Sequence, residues 1–576
     1  MCGIFSLLNY ETQYTDQFVE DQFQKGKGRG PEHSVFTKIG KKVVFGFHRL
    51  AINGLTNESS QPLVRNNIHL ICNGEIYNYK KLFELIGETP TTQSDCEIIV
   101  WLYEKYGIEQ CLQMLDGVFA FVLLDQRLEY DESRIYIARD PYGVRPLYTM
   151  HSSRLTGFTE ECPIGFASEL KSLFEFSQLR ERTIQYETLQ FPPGSYSYYV
   201  LSYKVHAQWK LMNTIRYHNT SFCTSFLNDE IMIENIQRYL VAAVEKRCCT
   251  TERPIACLLS GGLDSSLITA LVCDFHKKNG LPPIETYSIG LTGSVDLKHA
   301  KIVADYLGTI HTEIVLTEND FCDAIPEVIQ AIESYDTTSV RASIGNYLLG
   351  KHIAAHSQAK VIFNGDGSDE LLGGYIYLAK APDAIEFDKE CRRLLKDIHA
   401  FDVLRSDKSI STHGLEPRTP FLDRAWTQFY LSIRAEVRFQ PDRIEKYWLR
   451  AAFAYYQDQY GRPILPESVL WRKKEAFSDG VSANERSLYQ ILQEHAGSIV
   501  KLPHNMTSYA ELYNNSRFGS ITHNAPTTAE QYYYRKLFET YYQGMGKIVP
   551  YFWMPKYVAA TDASARTLAH YSETTI

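Results

Sequence analysis

The sequence predicts a two-domain protein of the α/β class, with a parallel sheet in its C-terminal part. Three observations carry this. Twice an apolar strand-like run breaks into a Gly-rich turn and a helical run: PIACLL into SGGLDSS (Ser260–Ser266), and KVIF into NGDGSDE (Asn364–Glu370). Two more strand-like runs, IETYSIG (Ile284–Gly290) and HTEIVLT (His311–Thr317), flank the helical LKHAKIVADYLG, which is the alternation of a parallel sheet. Between about residues 205 and 235 the patterning fades into Asn, Thr and Ser, as a linker does. Domains are therefore expected at 1–210 and 211–576.

Bulk properties exclude several classes. Apolar content of 44% and charged content of 22% are ordinary for a soluble globular chain of 576 residues. A net charge of −9 argues against nucleic acid as a partner. No apolar run reaches membrane-spanning length, and the N-terminus lacks the basic and apolar regions of a secretory signal. The 12 cysteines show neither CxxC pairs nor zinc spacing. They read as reduced thiols, and the expected location is cytoplasmic.

Taken in order, the chain opens MCGIFSLL. A Cys at position 2 is usually a small buried hydrophobe. If Met1 is removed, however, the α-amine of Cys2 lies beside its own thiol. An α-amine titrates at roughly 7.7–8.0 and can act as general base without a histidine. Three further segments bear on this: FGFHRLAING (Phe45–Gly54), ICNGEIYNY (Ile71–Tyr79) and SDCEIIVWLYEKYG (Ser94–Gly107). A glutamine substrate needs a cation for its α-carboxylate, which Arg49 suits by bidentate pairing. It needs an anion for its α-ammonium, which Glu75 and Asp95 suit. The developing oxyanion needs donors, supplied by the Asn73 side chain and the Gly74 N–H.

In the C-terminal part, the strand, the Gly261-Gly262 turn and the helix start make an anion site. Ser260, Ser265 and Ser266 add hydroxyls. Asp264 would repel a phosphate unless a cation stood between them, which suggests Mg²⁺. Asp369, on the second acidic turn, is its paired metal-ligand candidate. Ile289 is placed to line an adenine pocket, and Asp296 is expected to cap the helix that ends at Gly308. ESYDTTSVRAS (Glu333–Ser343) supplies Thr338 and Arg341 to hold carboxylate and phosphate oxygens. WRKKEAFSDG (Trp471–Gly480) supplies Lys474, a positive charge for nucleotidyl transfer.

These segments carry resemblances. SGGLDSS resembles the pyrophosphate-binding loop of the N-type ATP pyrophosphatases. Cys2 with the three segments above, together with LDGVFAFVLLD, ARDPYGVRPLY, FASELKSL and FPPGSY, resembles the glutaminase domain of class II amidotransferases. With LEPRTPFLD (Leu415–Asp423) and the closing YFWMPKYVAATDASARTLAHY (Tyr551–Tyr571), nearly the whole chain is similar to the glutamine-hydrolysing asparagine synthetases, most of all their eukaryotic form.

That resemblance implies an N-terminal αββα sandwich of the N-terminal-nucleophile type ahead of the parallel-sheet ATP pyrophosphatase domain. It implies ATP, aspartate and glutamine as substrates, and a homodimer as a candidate assembly. It extends the glutamine pocket to Leu50, Ala51, Ile52 and Asn53, and the ATP site to Leu258, Leu259, Asn364 and Gly365. Departures from the family pattern are Gly28 and Glu32 in GRGPE, where HRGPD is usual, and Asn364 and Asp366 in NGDGSDE, where SGEGSDE is usual. The family's Glu at the second of these is implicated in forming the aspartyl-adenylate, so Asp366 predicts retained but weakened activity. A lactam-forming synthetase is disfavoured by Cys2 and its full glutamine pocket, a tRNA-modifying pyrophosphatase by the acidic charge. An inactive binding module is disfavoured because only conservative changes occur.

Overall fold

The computed structural model describes residues 1–10, 14–40, 42–127, 132–154, 163–178, 184–202, 208–474, 480–482, 486–564 and 567. Residues 475–479 of WRKKEAFSDG and most of the tail after Ser564 lie outside the described residues. The chain forms two units. One is Met1–Asn219 with the short segments Thr250–Arg253 and Ser411–Leu415; the other comprises Thr220–Cys249, Pro254–Ile410 and Glu416–Ile576.

The first unit contains strands β1 (Gly3–Leu8), β2 (His33–Ile39), β3 (Val43–Arg49), β4 (Leu63–Arg65), β5 (Ile68–Ile76) and β6 (Gly117–Asp125). It continues with β7 (Glu132–Arg139), β8 (Tyr148–Arg154), β9 (Ile164–Ala167), β10 (Ile184–Gln190), β11 (Ser195–Ser202) and β12 (Trp209–Arg216). They form two six-stranded sheets, ordered β10-β8-β9-β1-β3-β2 and β12-β11-β7-β6-β5-β4. Successive residues of a strand face opposite sides, and β5 shows the consequence. Ile71 joins Ile4, Phe45 and Val122 in one core cluster, whereas Cys72 joins Phe121, Ile99 and Leu102 in another. The first cluster lies between the sheets. The second lies under helices α2 (Tyr79–Ile86) and α3 (Glu97–Met114), while α1 (Asp16–Gln24) and α4 (Lys171–Gln178) flank the other sheet. The result is the αββα sandwich.

The expected 210/211 boundary falls inside β12, which pairs with β11. The misplacement has a physical cause. Lys210–Thr214 are exposed on both faces of this edge strand, so no alternation marks them.

The second unit is built on β13 (Ile255–Leu258), β14 (Glu285–Leu291), β15 (Ile310–Leu316), β16 (Val361–Phe363) and β17 (Glu416–Arg418). All are parallel, in the order β15-β14-β13-β16-β17. Helix α5 (Asp229–Cys249) leads in, and α6 (Leu263–Lys278), α7 (Val295–Leu307), α8 (Glu318–Asp323), α9 (Ile325–Ile332), α10 (Thr337–His356) and α11 (Ser368–Leu372) follow. The order turns at β13, and both Gly-rich turns leave the carboxyl ends of adjacent strands there, where open α/β sheets bind ligands. Ser294, not Asp296, caps α7: its side chain accepts from the Leu297 N–H, while Asp296 sits inside the first turn. Gly308 ends that helix in the left-handed conformation, at φ 72°. No helix among the described residues is long and apolar enough to cross a membrane.

Candidate functional site

In the first unit, Gly3 of β1 pairs with His48 of β3, so Cys2 leaves the sheet beside Arg49. The Cys2 Sγ lies 3.6 Å from the Leu50 carbonyl oxygen. Arg49 is buried and donates to the carbonyls of Gly54 and Thr56, at 2.7 Å for the latter. Its guanidinium thus shapes the loop of Leu50, Ala51, Ile52 and Asn53. Burial lowers its pKa from the ordinary arginine value, against the opposing pull of Cys2 and Glu32. The Asn53 amide donates to Glu75 at 2.7 Å, which ties this loop to β5. Asp95 accepts the Ile76 N–H at 2.6 Å, at the end of the same strand.

Asn73 is fully buried. Its Nδ2 reaches the Ser168 Oγ only at 3.5 Å, and its Oδ1 has no hydrogen-bond partner. Ser168 in turn accepts from the Ile4 N–H at 3.1 Å, which places Asn73 next to the start of β1. Gly74 is required sterically, since a Cβ there would stand 2.5 Å from the Val118 carbonyl oxygen.

Sequence reasoning did not single out Arg29 and Glu169. Arg29 is buried, pairs with Glu169 at 2.9 Å and donates through Nε to the Cys2 carbonyl at 3.0 Å. The clue was present, because both residues sit inside motifs already noticed, GRGPE and FASELKSL. The two departures in GRGPE also acquire roles. A Cβ on Gly28 would approach the Thr412 carbonyl oxygen to 3.0 Å, leaving little room for the usual His. Glu32 accepts the Ala51 N–H at 2.8 Å and thereby holds the pocket loop.

The second unit encloses a cavity of about 300 Å³. Leu258, Leu259, Ser260, Gly262, Asp264, Ser265, Ile289, Asn364 and Gly365 line it, with Thr338, Arg341, Asp366, Asp369 and Lys474. Gly261 and Ser266, also expected at the nucleotide, do not. Gly261 has φ +73° and a Cβ there would stand 2.4 Å from the Ala300 nitrogen, and Ser266 is buried within α6. At the turn, the Ser260 and Ser265 hydroxyls lie 3.0 Å apart, and Ser260 Oγ accepts the Gly262 N–H at 3.3 Å.

Asp264 and Asp369 do converge. They converge on a residue no motif announced: the Lys446 ammonium lies 2.5 Å from each. Lys474 contacts the other oxygen of Asp369 and lies 5.0 Å from the Tyr375 ring centroid. Burial alone would raise the Asp369 pKa, but the two ammonium groups outweigh it and hold the carboxylate below its ordinary range. Burial pulls Lys446 down, and the two aspartates outweigh that, lifting it to about 12. Burial, with Asp402 and Asp369, pushes Glu370 well above the carboxylate range. Asp366 meets Arg405 at 3.2 Å through Oδ1, while its Oδ2 is buried without a hydrogen-bond partner. Among the described residues no cluster of three or more His, Cys, Asp or Glu forms a metal cage.

Arg341 has partners other than those expected. Its guanidinium pairs with Glu530 at 2.9 and 2.5 Å and with Asp562 at 2.7 and 2.9 Å. Four of its N–H donors are therefore engaged by the protein's own carboxylates, while Arg341 also lines the cavity. The partners lie 189 and 221 residues away in the chain, beyond the reach of a local motif.

The profile of the glutamine amidotransferase domain family matches residues 1–218, and that of the asparagine synthase family matches 235–389 and 379–547. Asparagine synthetase [glutamine-hydrolyzing] from Gallus gallus is 39% identical over 589 residues, covering 99% of each chain. The protein of the same name from Rattus norvegicus is 38% identical over 593 residues, covering 100% of each. The one from Homo sapiens is 38% identical over 588 residues, covering 99% of each.

Proposed function

The chain belongs to the glutamine-hydrolysing asparagine synthetases, and from that premise we propose which of its residues carry each step. The enzyme makes L-asparagine from L-aspartate and L-glutamine with ATP. The Cys2 thiol gives its proton to the α-amine freed by removal of Met1, and Sγ attacks the glutamine amide carbon. The Asn73 amide and the Gly74 N–H take the oxyanion. The C–N bond breaks, ammonia leaves with the returned proton, and water cleaves the thioester to glutamate. Arg49 shapes the loop that receives the substrate, and Glu75 with Asp95 supplies negative charge for its ammonium.

In the second unit the aspartate β-carboxylate attacks the α-phosphorus of ATP, giving β-aspartyl-AMP and pyrophosphate. The turn of Ser260, Gly262 and Ser265 receives the pyrophosphate on hydroxyls and N–H groups, and Lys474 with Lys446 offsets the developing charge. Ile289 packs at the adenine, and the Asp366 carboxylate, whose Oδ2 has no partner of its own, serves the reacting groups. Ammonia then displaces AMP. Mg²⁺, as the counter-ion of ATP, would be held by Asp264 and Asp369 with phosphate oxygens. Their sharing of one ammonium fits a common cation position, and Mg²⁺ characteristically takes only one or two carboxylates beside phosphates. The cytoplasm is the proposed location, and a homodimer the proposed assembly, to be tested by light scattering.

The observation that carries this reading is the meeting of both Gly-rich turns with Lys446 and Lys474 in one cavity. The test supplies Mg·ATP and aspartate with either glutamine or ammonium and follows asparagine, AMP and pyrophosphate. Wild type is expected to use both nitrogen donors, and Cys2→Ala only ammonium. ADP in place of AMP, or no aspartate-dependent pyrophosphate, would sink the assignment.

A further inference from the structure

We propose that the C-terminal tail, Trp553–Ser564, is a wall of the synthetase site and that Asp562 is the positioning residue that holds it there through Arg341. The inference rests on assigning the second unit's cavity to ATP and aspartate. Trp553, Ala563 and Ser564 line that cavity, although no motif of the nucleotide site includes them. Helix α10 holds the tail at two points. At its start, the N-cap Asp336 accepts the Ser339 N–H at 2.8 Å through Oδ2 and the Trp553 N–H at 2.8 Å through Oδ1. About one turn on, Arg341 grips Asp562 with two N–H groups, at 2.7 and 2.9 Å. Between the clamps lies Thr338, whose hydroxyl is buried without a partner and which lines the same cavity.

Asp562 also orders its own neighbours in the tail. Its Oδ1 accepts the Ser564 N–H at 2.8 Å, and Gln493 donates to its Oδ2 at 2.9 Å. The bidentate pair therefore fixes the residue that reaches the cavity. Glu530 fills the other edge of the guanidinium, so Arg341 works as a post between α10 and the tail. It acts on the substrates through the tail, by positioning.

The test is steady-state kinetics of the full-length enzyme carrying Asp562→Asn, which keeps shape and one acceptor but loses the charge. KM for ATP or aspartate is expected to rise about ten-fold with a smaller change in kcat, as when binding groups are misplaced by a fraction of an ångström. Asparagine formed per glutamate should fall, and Asp562→Glu should restore part of it. A purely structural pair would lower the melting temperature and leave both KM values at wild type, and that result overturns the proposal. So does Arg341→Lys crippling synthesis while Asp562→Asn is silent, because Arg341 would then touch substrate itself. Lys474→Ala, assayed alongside, separates the failures. If it abolishes synthesis while Asp562→Asn behaves as wild type, only the tail inference falls. If both are silent, the cavity assignment falls with it.

Discussion

The two sites solve opposite electrostatic problems. At the Cys2 thiol and the oxyanion donors the protein places neutral groups, the Leu50 carbonyl, the Asn73 amide and Gly74, while single charges, Arg49 and Glu32, hold the neighbouring loop through its backbone. A buried ion pair, Arg29–Glu169, stands behind the nucleophile and grips the Cys2 backbone. The synthetase cavity is instead lined by interlocked charges, with Lys446 between Asp264 and Asp369, and Lys474 on Asp369. The chemistry explains the contrast. Amide attack develops a single oxyanion that a few neutral donors stabilise. ATP brings several negative charges at once, so the site must hold cations, and those cations need carboxylates of their own while buried.

If that contrast is right, removing one charge should damage the two units very differently. The largest effect is expected from Lys446→Ala. It leaves Asp264 and Asp369 facing each other with one cation fewer, which costs about 3–5 kcal/mol for a broken buried pair. Asparagine synthesis should disappear with either nitrogen donor while glutamine hydrolysis persists. Retained synthesis would show that Lys446 is not the pivot of the cavity.

The first unit should break through a histidine. His48 is 1% exposed and stacks on Phe23 with ring centroids 3.9 Å apart. Its Nε2 meets the Phe23 carbonyl at 2.9 Å and its Nδ1 the Ser34 hydroxyl at 2.7 Å. Burial, partly opposed by the bond to Phe23, lowers its pKa from 6.5 to about 4. A folded pKa below the unfolded one means neutral His48 contributes stability that is complete above pH 6.5. That stability is lost as the pH falls toward 4. The loss is at most about 3 kcal/mol. Calorimetry of wild type and His48→Gln across that range checks it: the variant should show a flatter decline.

A third, smaller effect concerns Arg29. Arg29→Ala releases the Cys2 carbonyl and leaves Glu169 to Lys171, 2.9 Å away. Glutaminase kcat/KM should fall about 10- to 100-fold, or about 1.4–2.8 kcal/mol, with ammonium-dependent synthesis unchanged. Equal loss in both assays would mean a folding defect instead of a misplaced nucleophile.

The same contrast explains what could be read from the sequence. The αββα sandwich, the parallel sheet and the two Gly-rich turns that line the cavity were legible because they sit in contiguous segments whose chemistry is local. Cys2, Asn73 and the SGGLDSS turn belong to this class. Lys446 was not legible: it lies in plain RIEKYW and adopts φ +58°, a conformation imposed by tertiary contacts. The partners of Arg341 were hidden by sequence distance, 189 and 221 residues along the chain. Strand β12 was missed because an exposed edge strand carries no hydrophobic period. Charge networks join distant segments, so the synthetase site hides more of itself than the glutaminase site does.

The finest test of the comparison is one methylene. Asp366 stands where the resembling family carries Glu, and its Oδ1 is already tethered to Arg405, whose guanidinium also meets Asp402 at 2.9 Å. The buried Oδ2 has no hydrogen-bond partner, and Asp366 is among the residues that line the cavity. Asp366→Glu advances that oxygen by about 1.5 Å, one C–C bond, without changing the charge. Because the surrounding cations are fixed by their own carboxylates, the site should tolerate the change, and adenylation should speed up by less than about ten-fold. Asp366→Asn removes the charge and should slow pyrophosphate release by more than the Glu variant speeds it. Rapid-quench measurement of aspartate-dependent pyrophosphate reads both. If Asp366→Asn matches wild type, this carboxylate is outside the reaction. If Asp366→Glu is inactive, the cavity is shaped tightly around the shorter acid, and precise length matters there as much as charge.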